Sequence, residues 1–413
     1  MKRTFITIIP FLVYLLIGIT TNVMADEVRT FNFNHGKADG IQIVQQSKGD
    51  ISLNFTLNTL HVSPIDYKGE VMHEVGVSGI ILPNAKGMPN VPTYSKIIAI
   101  PQGAEAVINI VNYEKETIQN INIAPSRGIE PQVVEPTVDY VKNDLVYSKD
   151  EFYPSSYAGI GEYTTLRGID IITLNISPIQ FNPITKEAVV YHNIELTIEY
   201  KGGNSQFGDN AYRSPYFDPI LAQNILNYND LPKIDYEARF QEWIKDGSEG
   251  YEYIIVTPNN DAWAPYAQQL ADLRTKQGIL TKVYRLDEMG VTNTNQLKAW
   301  FHDAYYNWEI KPVAVCLMGD HNTDMSQGIP AEVISHSYSG SCITDNQYAD
   351  PDGNLLPDIT FSRLIAQDES ELPIFVGMMM KDWTKPIIRI MSPIRVSPFL
   401  MLYWALQEKL LVV

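Results

Sequence analysis

An alternation of strand-like and helix-like segments between residues 251 and 318 constrains the fold of this chain more than any other feature. Three short apolar runs, at residues 251–257, 279–285 and 313–318, are typical of buried strands because they contain Val, Ile and Tyr and end at turn residues. A strand–helix–strand–helix–strand order is typical of a parallel sheet with right-handed crossovers. The sequence therefore predicts a three-stranded parallel sheet in this region.

Both segments that connect these strands have helical features. Asn260 or Asp261 can cap a first helix, which has Pro265 in its first turn and stops at Gly278. The second helix has an apolar stripe at the spacing i, i+3, i+4, i+7, which indicates that one face is buried. The residues of this stripe are Leu297, Trp300, Phe301, Ala304, Tyr305 and Trp308.

Three polar or small residues, Gly319, Asp320 and His321, directly follow the third predicted strand. In open parallel sheets, ligands and reactive groups gather beyond the carboxyl ends of the strands. Asp320 and His321 are therefore candidates for a catalytic pair, and His321 is a weak candidate for a general base because histidine titrates near neutral pH. The alternative is a structural turn in which the Asp caps and the His packs or binds an ion.

The preceding part of the chain, residues 26–230, has a different pattern. Short runs of Val, Ile, Thr and Tyr alternate with Gly, Pro, Asn and Asp, and helical periodicity is almost absent. Residues 194–200 alternate strictly between apolar and polar, as a strand with one buried face does. The sequence predicts an antiparallel, sandwich-like β domain here.

The composition argues against one class of function. The 413 residues have a formal net charge of −17 and no basic cluster, which argues against a nucleic-acid-binding protein.

The amino terminus has the features of a signal peptide. Lys2 and Arg3 precede an apolar segment, and small residues precede a cleavage position after Ala25. We expect residues 1–25 to be a signal peptide, so that the protein is secreted or on the cell surface, without a membrane span after removal of the signal. A retained anchor is the alternative.

Two blocks of the β region resemble the propeptide of gingipain-type cysteine peptidases. The first, residues 87–106, reads GMPNVPTYSKIIAIPQGAEA; the second contains Leu166-Arg167-Gly168, followed by Ser177-Pro178 and a strand over residues 188–200. The resemblance implies that residues 26–230 are a propeptide that contacts the catalytic domain.

A later block resembles the start of the gingipain catalytic domain, which has an α/β caspase-like fold. The block combines Gly319-Asp320-His321 with Asp345, Tyr348, Asp350, Asp352, Gly353, Asp358, Arg363 and Leu364. Ser362 departs from the family pattern, which usually has Gly there. The resemblance implies a cysteine endopeptidase zymogen that acts on protein or peptide substrates, in which a thiolate attacks the carbonyl and a His is the base. The catalytic His and Cys of the family follow later strands, so we expect this chain to be an incomplete, inactive form.

The two cysteines have different sequence contexts. Cys316 lies inside an apolar strand, where a buried thiol is inert. Cys342 lies in a predicted Ser/Gly loop, and we expect it to be the accessible thiol. It is a weak candidate for a nucleophile if His321 or His336 reaches it, and otherwise an ordinary loop Cys. The remaining histidines show no metal-ligand spacing; they are His35, His61, His73, His192 and His302.

Four oxygen-bearing side chains, Asp350, Asp352, Asn354 and Asp358, fall within one short turn. Calcium requires six to eight hard oxygen ligands, and such a turn can supply several of them. The resemblance adds the calcium dependence of the family. The alternative is an Asx-rich turn that needs no metal.

Residues 231–250 are predicted to be a linker between the two domains, and they contain the basic residues Arg239 and Lys245. The resemblance implies activation cleavage after a basic residue in this segment, and a simple connector is the alternative. The α/β domain is expected over residues 251–377. Residues 378–413 are apolar, weakly basic and interrupted by prolines, so we interpret them as an aberrant tail.

Two functions of other classes stay open beside the zymogen. The β domain alone is compatible with a non-catalytic inhibitor or chaperone of a peptidase, and with a calcium-binding structural module.

Overall fold

The computed structural model describes residues 27–80, 85–128, 141–336 and 340–381. Within them we distinguish an N-terminal region, residues 27–235, and a C-terminal region, residues 246–381. The predicted signal peptide with Ala25, and residues 382–413 of the predicted tail, lie outside the described residues.

The N-terminal region contains eleven described strands and little helix. The strands are β1 (Arg29–Asn32), β2 (Gly40–Gln46), β3 (Asp50–Thr56), β4 (Thr59–Tyr67), β5 (Glu70–Val77), β6 (Tyr94–Ala99), β7 (Ala104–Gln119), β8 (Ala158–Leu166), β9 (Ile169–Ile176), β10 (Ile179–Asn182) and β11 (Glu187–Gly202). All their pairings are antiparallel, in three sheets ordered β1-β4-β5, β10-β11-β3-β2 with β7 also on β11, and β6-β9-β8.

One apolar core joins these three sheets. It includes Val62 from the first sheet, Phe55 and Ile194 from the second, and Ile98 and Ile172 from the third, each with no more than 1% of its surface exposed. The prediction of an antiparallel, sandwich-like β domain is confirmed. The alternation over residues 194–200 identifies the inner face of β11, the longest strand together with β7.

Three described helices accompany these strands: α1 (Asp144–Tyr147), α2 (Asp218–Asn224) and α3 (Tyr236–Asp246). Asp235 caps α3 by accepting a hydrogen bond from the amide of Ala238, and Gly247 ends it with a φ of +66°. The segment predicted to be a linker therefore contains a regular helix, which is amphipathic and has no fully buried residue.

The C-terminal region is built on a parallel sheet of four strands: β12 (Tyr253–Thr257), β13 (Thr281–Arg285), β14 (Ala314–Met318) and β17 (Thr360–Leu364). Their order is β13-β12-β14-β17. The prediction of three strands is wrong, because β17 adds a fourth beside β14. Its sequence, TFSRL, is short and half polar, so it lacks the continuous apolar run of a central strand.

Helices α4 (Ala264–Lys276) and α5 (Thr294–Asn307) occupy the predicted crossovers. A short 3-10 turn precedes α4, and the Asn260 side chain caps that turn by accepting from the amide of Ala262. Four members of the predicted stripe on α5 are buried, namely Leu297, Phe301, Ala304 and Tyr305.

The remaining elements of the C-terminal region are a hairpin and two helices. The strands β15 (Glu332–His336) and β16 (Gly340–Thr344) form an antiparallel hairpin where the sequence predicted a loop. The helices are α6 (Asn346–Ala349) and α7 (Leu372–Lys381). None of the helices in the described part of the chain is long and apolar enough to cross a membrane.

Candidate functional site

The parallel sheet has two edges with different surroundings. We call the residues that follow β12, β13, β14 and β17 the carboxyl edge, and those that precede these strands the amino edge. The predicted pair of Asp320 and His321 lies on the carboxyl edge, directly after β14.

His321 is held by the loop that follows it. Its Nδ1 accepts a hydrogen bond of 3.0 Å from the amide of Ala331, and its own amide donates to Oδ1 of Asp320 at 2.7 Å. The carbonyl of Asp320 accepts from the amide of Ile329. Gly328 packs so closely that an added Cβ would lie 2.5 Å from the Asp320 carbonyl oxygen. These contacts make the two residues anchors of the loop over residues 322–331.

Arg363, at the end of β17, fastens the same edge. Its guanidinium forms a bidentate ion pair with Asp345, with N–O distances of 2.7 and 2.8 Å. Its third nitrogen donates to the carbonyl oxygens of Gly319 and Ile329 at 3.0 and 2.9 Å. Arg363 thus joins β17, β14 and the loop before the hairpin, which gives a structural reason for these motif residues.

Neither thiol is accessible. Cys316 is fully buried on β14, and burial raises the pKa of its thiol to about 11. Cys342 lies on strand β16 with 5% of its surface exposed, and its Sγ is 3.5 Å from the carbonyl oxygen of Gly340. The prediction that Cys342 is an accessible loop thiol is wrong, because the residue lies on strand β16 and is buried. The side chain of His336 lies outside the described residues.

In the acidic turn of Asp350, Asp352, Asn354 and Asp358, the side-chain oxygen atoms accept hydrogen bonds from groups of the protein, except for the buried Oδ2 of Asp358. The carboxylate of Asp350 accepts hydrogen bonds from three backbone amides, those of Gly353, Asn354 and Leu355, at 2.9 to 3.1 Å. Burial, and next the neighbouring Asp352, raises the pKa of Asp350. These contacts are those of an Asx-type turn, and a calcium site at these side chains stays a prediction.

Two members of this turn reach the N-terminal region. Asp352 accepts from the hydroxyl of Thr165, and the Asn354 amide donates to the Thr165 carbonyl at 2.7 Å. Asp358, of which 1% is exposed, accepts from the backbone amide of Arg167. The acidic turn is therefore part of the contact between the two regions.

Arg167 is at the centre of this contact. It forms, with Gly168, the two-residue turn between β8 and β9, and both residues have positive φ, +53° and +72°. Two-residue hairpin loops of this kind match the twist of the flanking strands. The turn projects Arg167 into the amino edge of the parallel sheet, where 1% of the residue is exposed.

The buried guanidinium of Arg167 is satisfied by carbonyl oxygens from both regions. Nη1 donates to the carbonyls of Pro312 and Asp358, both at 2.8 Å, and Nε donates to the carbonyl of Tyr212 at 2.6 Å. The guanidinium also lies over the rings of Phe217 and Tyr305, 5.1 and 5.4 Å from their centroids. These contacts compensate the removal of a charge from water.

Apolar residues surround the Arg167 contact. Leu166, Ile169 and Phe217 of the N-terminal region pack in one cluster with Val313 and Leu356 of the C-terminal region. The joint between the two regions thus has the apolar composition of a protein interior around the buried guanidinium of Arg167.

A second carboxyl group, that of Glu252, is buried at the same edge. Glu252 precedes β12, has 3% of its surface exposed, and accepts a hydrogen bond from the amide of Leu280. Burial raises its pKa to about 7, although that bond and the charge of Arg167 act in the opposite direction. Burial, followed by the charge of Asp352, also raises the pKa of Asp358 to about 7.

Sequence reasoning missed the role of Arg167. The triplet Leu166-Arg167-Gly168 resembles part of the gingipain-type propeptide. Its one local signal is a two-residue turn between alternating strands. The sequence also gives no signal for the approach of His35 and His192, whose ring nitrogens are 2.8 Å apart although 157 positions separate them.

Comparisons with known proteins match both regions. Residues 32–235 match the family Propeptide_C25, and residues 246–381 match Peptidase family C25. The ten residues between the two matches, 236–245, fall within helix α3.

Among curated proteins, Lys-gingipain of Porphyromonas gingivalis is 24% identical over 343 residues, which cover 79% of this chain and 19% of that protein. Gingipain R2 of the same organism is 20% identical over 319 residues, covering 76% of this chain and 41% of that protein. The chain thus spans about a fifth to two fifths of the length of these relatives.

Two solved structures from Porphyromonas gingivalis are also similar. The complex of RgpB pro- and mature domains aligns with a TM-score of 0.42 at 20% identity, covering 47% of this chain and 99% of that one. A structure addressing the zymogenic latency of gingipain K aligns with a TM-score of 0.37 at 20% identity, covering 43% and 99%. From the two family matches, the chain belongs to the gingipain-type cysteine peptidase precursors, with a C25 propeptide followed by residues of a C25 peptidase domain.

Proposed function

We propose that this chain is a latent, exported precursor of a gingipain-type cysteine endopeptidase whose substrates are proteins or peptides. The N-terminal region acts in cis as the propeptide, and it docks on the amino edge of the peptidase sheet. The observation that carries this proposal is the burial of Arg167 between the two regions, with hydrogen bonds to Pro312 and Asp358.

A docking contact of this kind predicts that the two regions stay together after the connection between them is cut. We expect both fragments to co-elute in size-exclusion chromatography after cleavage within α3, and the Arg167→Ala variant to separate. Separation of the fragments of the unsubstituted chain would contradict the proposal. It would favour a β domain that binds only in trans.

The catalytic chemistry of the family requires a thiolate that attacks the substrate carbonyl, with a His acting first as base and then as acid. A thiolate nucleophile needs access and a stabilising partner. Cys316 and Cys342 are the two cysteines of the sequence, and both are buried. We therefore propose that the chain as it stands is inactive. Peptidase activity of the purified chain that is abolished by a thiol reagent would refute this.

Processing within α3 is proposed to occur after Lys245 rather than after Arg239. The Arg239 guanidinium donates to the carbonyls of Asn210 and Arg213 at 3.0 and 3.2 Å, whereas Lys245 is exposed in the last turn before Gly247. A protease must unwind the helix locally, and its end unwinds most readily. Limited digestion with a lysine- and arginine-specific protease should cut first after Lys245, and Lys245→Gln should abolish that early cut.

Calcium at the acidic turn is a separate proposal, supported by the ligand types of Asp350, Asp352, Asn354 and Asp358. Binding would require these side chains to give up hydrogen bonds to the protein. A melting temperature that is raised by calcium and lowered by a chelator would support it, provided that Asp352→Asn removes the calcium response.

Export is proposed from the signal-like sequence of residues 1–25. Amino-terminal sequencing of the protein recovered from the outside of the cell should begin at Asp26. An intact Met1 terminus would contradict this.

A further inference from the structure

A cluster of two histidines and one glutamate lies in the N-terminal region, away from the joint with the peptidase. His35 follows β1, Glu114 lies on β7, and His192 lies on β11. One ligand atom from each of the three side chains comes within 4.8 Å of the others. Among the described residues, one group of three or more His, Cys, Asp or Glu side chains has its ligand atoms this close together, and it is this cluster.

The cluster is built by a distortion of the longest strand pair. In the pairing of β11 with β7, Tyr191 faces Lys115 and Asn193 faces Glu114, so His192 is an extra residue without a partner on β7. Such β-bulges redirect a side chain and are common next to functional sites.

The positions of both histidines are fixed by backbone contacts. The amide of His35 donates to Oδ1 of Asn58 at 3.0 Å, and the carbonyl of His192 accepts from the amide of Leu57 at 2.9 Å. The ring of Phe33 stacks on that of His192 with a centroid distance of 4.6 Å. The two imidazoles are therefore held edge to edge, with their ring nitrogens close together, before any ligand arrives.

The ring nitrogens of the two histidines, Nε2 of His35 and Nδ1 of His192, are 2.8 Å apart. Two neutral imidazoles at this distance share a proton or bind one cation between them.

Glu114 adds a carboxylate beside the two rings. Its Oε1 accepts a hydrogen bond of 3.1 Å from the side-chain amide of Asn193, the residue next to His192. A hydrogen bond of this kind orients a ligating carboxylate. The three side chains differ in exposure, since His192 is buried, His35 is half-buried and Glu114 is exposed, which leaves a path from solvent.

We propose that His35, Glu114 and His192 form a binding site for a divalent transition-metal ion, with Zn²⁺ as the best match. Two imidazoles and one carboxylate are a ligand set that Zn²⁺ uses, and a water molecule completes four-fold coordination. Calcium and magnesium prefer sites made of oxygen atoms, so this cluster discriminates against them.

Metal binding requires only a small adjustment. Tetrahedral coordination with Zn–N distances of about 2.0–2.1 Å separates two ligating nitrogens by about 3.3 Å, so the rings move apart by roughly half an ångström.

The bound ion would join three segments that are distant in the sequence: the loop after β1, strand β7 and strand β11. This connection would fasten the amino-terminal end of the N-terminal region to its central sheet. The site thus gives the propeptide a metal-dependent stability that is independent of its contact with the peptidase.

Calorimetric titration of the purified, chelator-treated chain with Zn²⁺ tests the proposal. We expect one site per chain that is lost in His35→Ala and weakened at least tenfold in Glu114→Gln, together with a Zn²⁺-dependent rise in melting temperature that His35→Ala abolishes. Both variants alter accessible side chains, and circular dichroism verifies their fold. The buried His192 is left unchanged because its replacement could unfold the region.

His61→Ala is the matched control, since His61 is an exposed histidine on β4 in the same region. It should bind Zn²⁺ as the unsubstituted chain does. Absence of Zn²⁺ binding to the unsubstituted chain would overturn the proposal, because the two rings would then form only a hydrogen-bonded pair. Equal binding by His35→Ala and the unsubstituted chain would overturn it too, by placing the ion elsewhere.

Discussion

Both edges of the parallel sheet carry charged residues, but these residues differ in their exposure to solvent. At the amino edge, Arg167, Asp358 and Glu252 each have at most 3% of their surface exposed. At the carboxyl edge, Arg285 pairs with Asp261 and Asp287 on the surface, and 30% of its side chain is exposed. The amino edge is closed by another part of the same chain, whereas Arg285 and its two carboxylate partners at the carboxyl edge lie near water.

In the proposed function, this difference means that the contact responsible for latency and the site of the reaction lie at opposite edges of the sheet. Parallel α/β sheets place their reactive groups at the carboxyl edge. The described contacts of the Arg167 turn are at the opposite edge, with Pro312 and Asp358. The propeptide can therefore hold the peptidase region through a permanent anchor that does not involve the carboxyl edge.

Replacement of Arg167 by Ala should have the largest effect, because it leaves the carbonyls of Pro312 and Asp358 buried without their donor. Removal of one partner from a buried, hydrogen-bonded charge typically costs about 3–5 kcal/mol. We expect a loss of this size in the free energy of unfolding measured with urea.

Arg285→Ala at the carboxyl edge is the matched control for Arg167→Ala. It removes an exposed arginine with two carboxylate partners, so its effect should be much smaller. Equal losses of unfolding free energy from the two substitutions would show that the charged residues of the two edges do not differ in their contribution to stability.

The pH dependence of stability should depend on Glu252. In the folded protein its pKa is about 7, against an ordinary value of 4.5, so the folded state binds more protons between these values. Its contribution is therefore complete below pH 4.5 and is lost as the pH rises to about 7, after which it stays constant. Glu252→Gln should remove a decline on the order of 3 kcal/mol across this window.

Urea unfolding of both proteins at a series of pH values measures this effect. The Gln variant retains an oxygen that can accept from the amide of Leu280, so its fold should be preserved. A decline of unchanged size in the variant would assign the pH dependence to another group.

Gly168→Ala tests how closely the turn is packed. Gly168 has a φ of +72°, and an added Cβ would lie 2.8 Å from the ring of Tyr212. Strain and collision together should destabilise the protein by about 1–3 kcal/mol. Gly340 has the same φ, but nothing lies within 4 Å of an added Cβ. Gly340→Ala therefore measures the strain alone, and its loss should be the smaller of the two in thermal unfolding.

His321→Ala should have the smallest effect, because it removes a single hydrogen bond to the amide of Ala331. We expect a loss of about 1 kcal/mol in stability and faster hydrogen exchange at the Ala331 amide. A large global destabilisation would mean that the carboxyl edge, too, carries the joint between the regions.

Much of the fold follows from local patterns. The apolar runs predicted β12, β13 and β14, and the stripe from Leu297 to Tyr305 predicted the buried face of α5. Strand β17 and the β15–β16 hairpin were missed because their residues are half polar and are stabilised by neighbours rather than by their own periodicity.

The sites were less predictable than the fold. The contact of the Asp358 carboxylate with the amide of Arg167, 191 positions away, has no signal in the sequence, and the role of Asp358 as a metal ligand stays a prediction. Cys342 was expected to be exposed in a loop, but it is buried on a strand that its neighbours in the sequence do not signal.

The sequence by itself determined the division into an N-terminal β region and a C-terminal α/β region, and the cap that Asn260 provides before α4. These features depend on spacing and turn chemistry over a few residues. Only the tertiary structure decided that Arg167 enters the amino edge and that His35 meets His192. These contacts join positions 145 to 191 residues apart in the chain, and no local period encodes which buried groups will find each other.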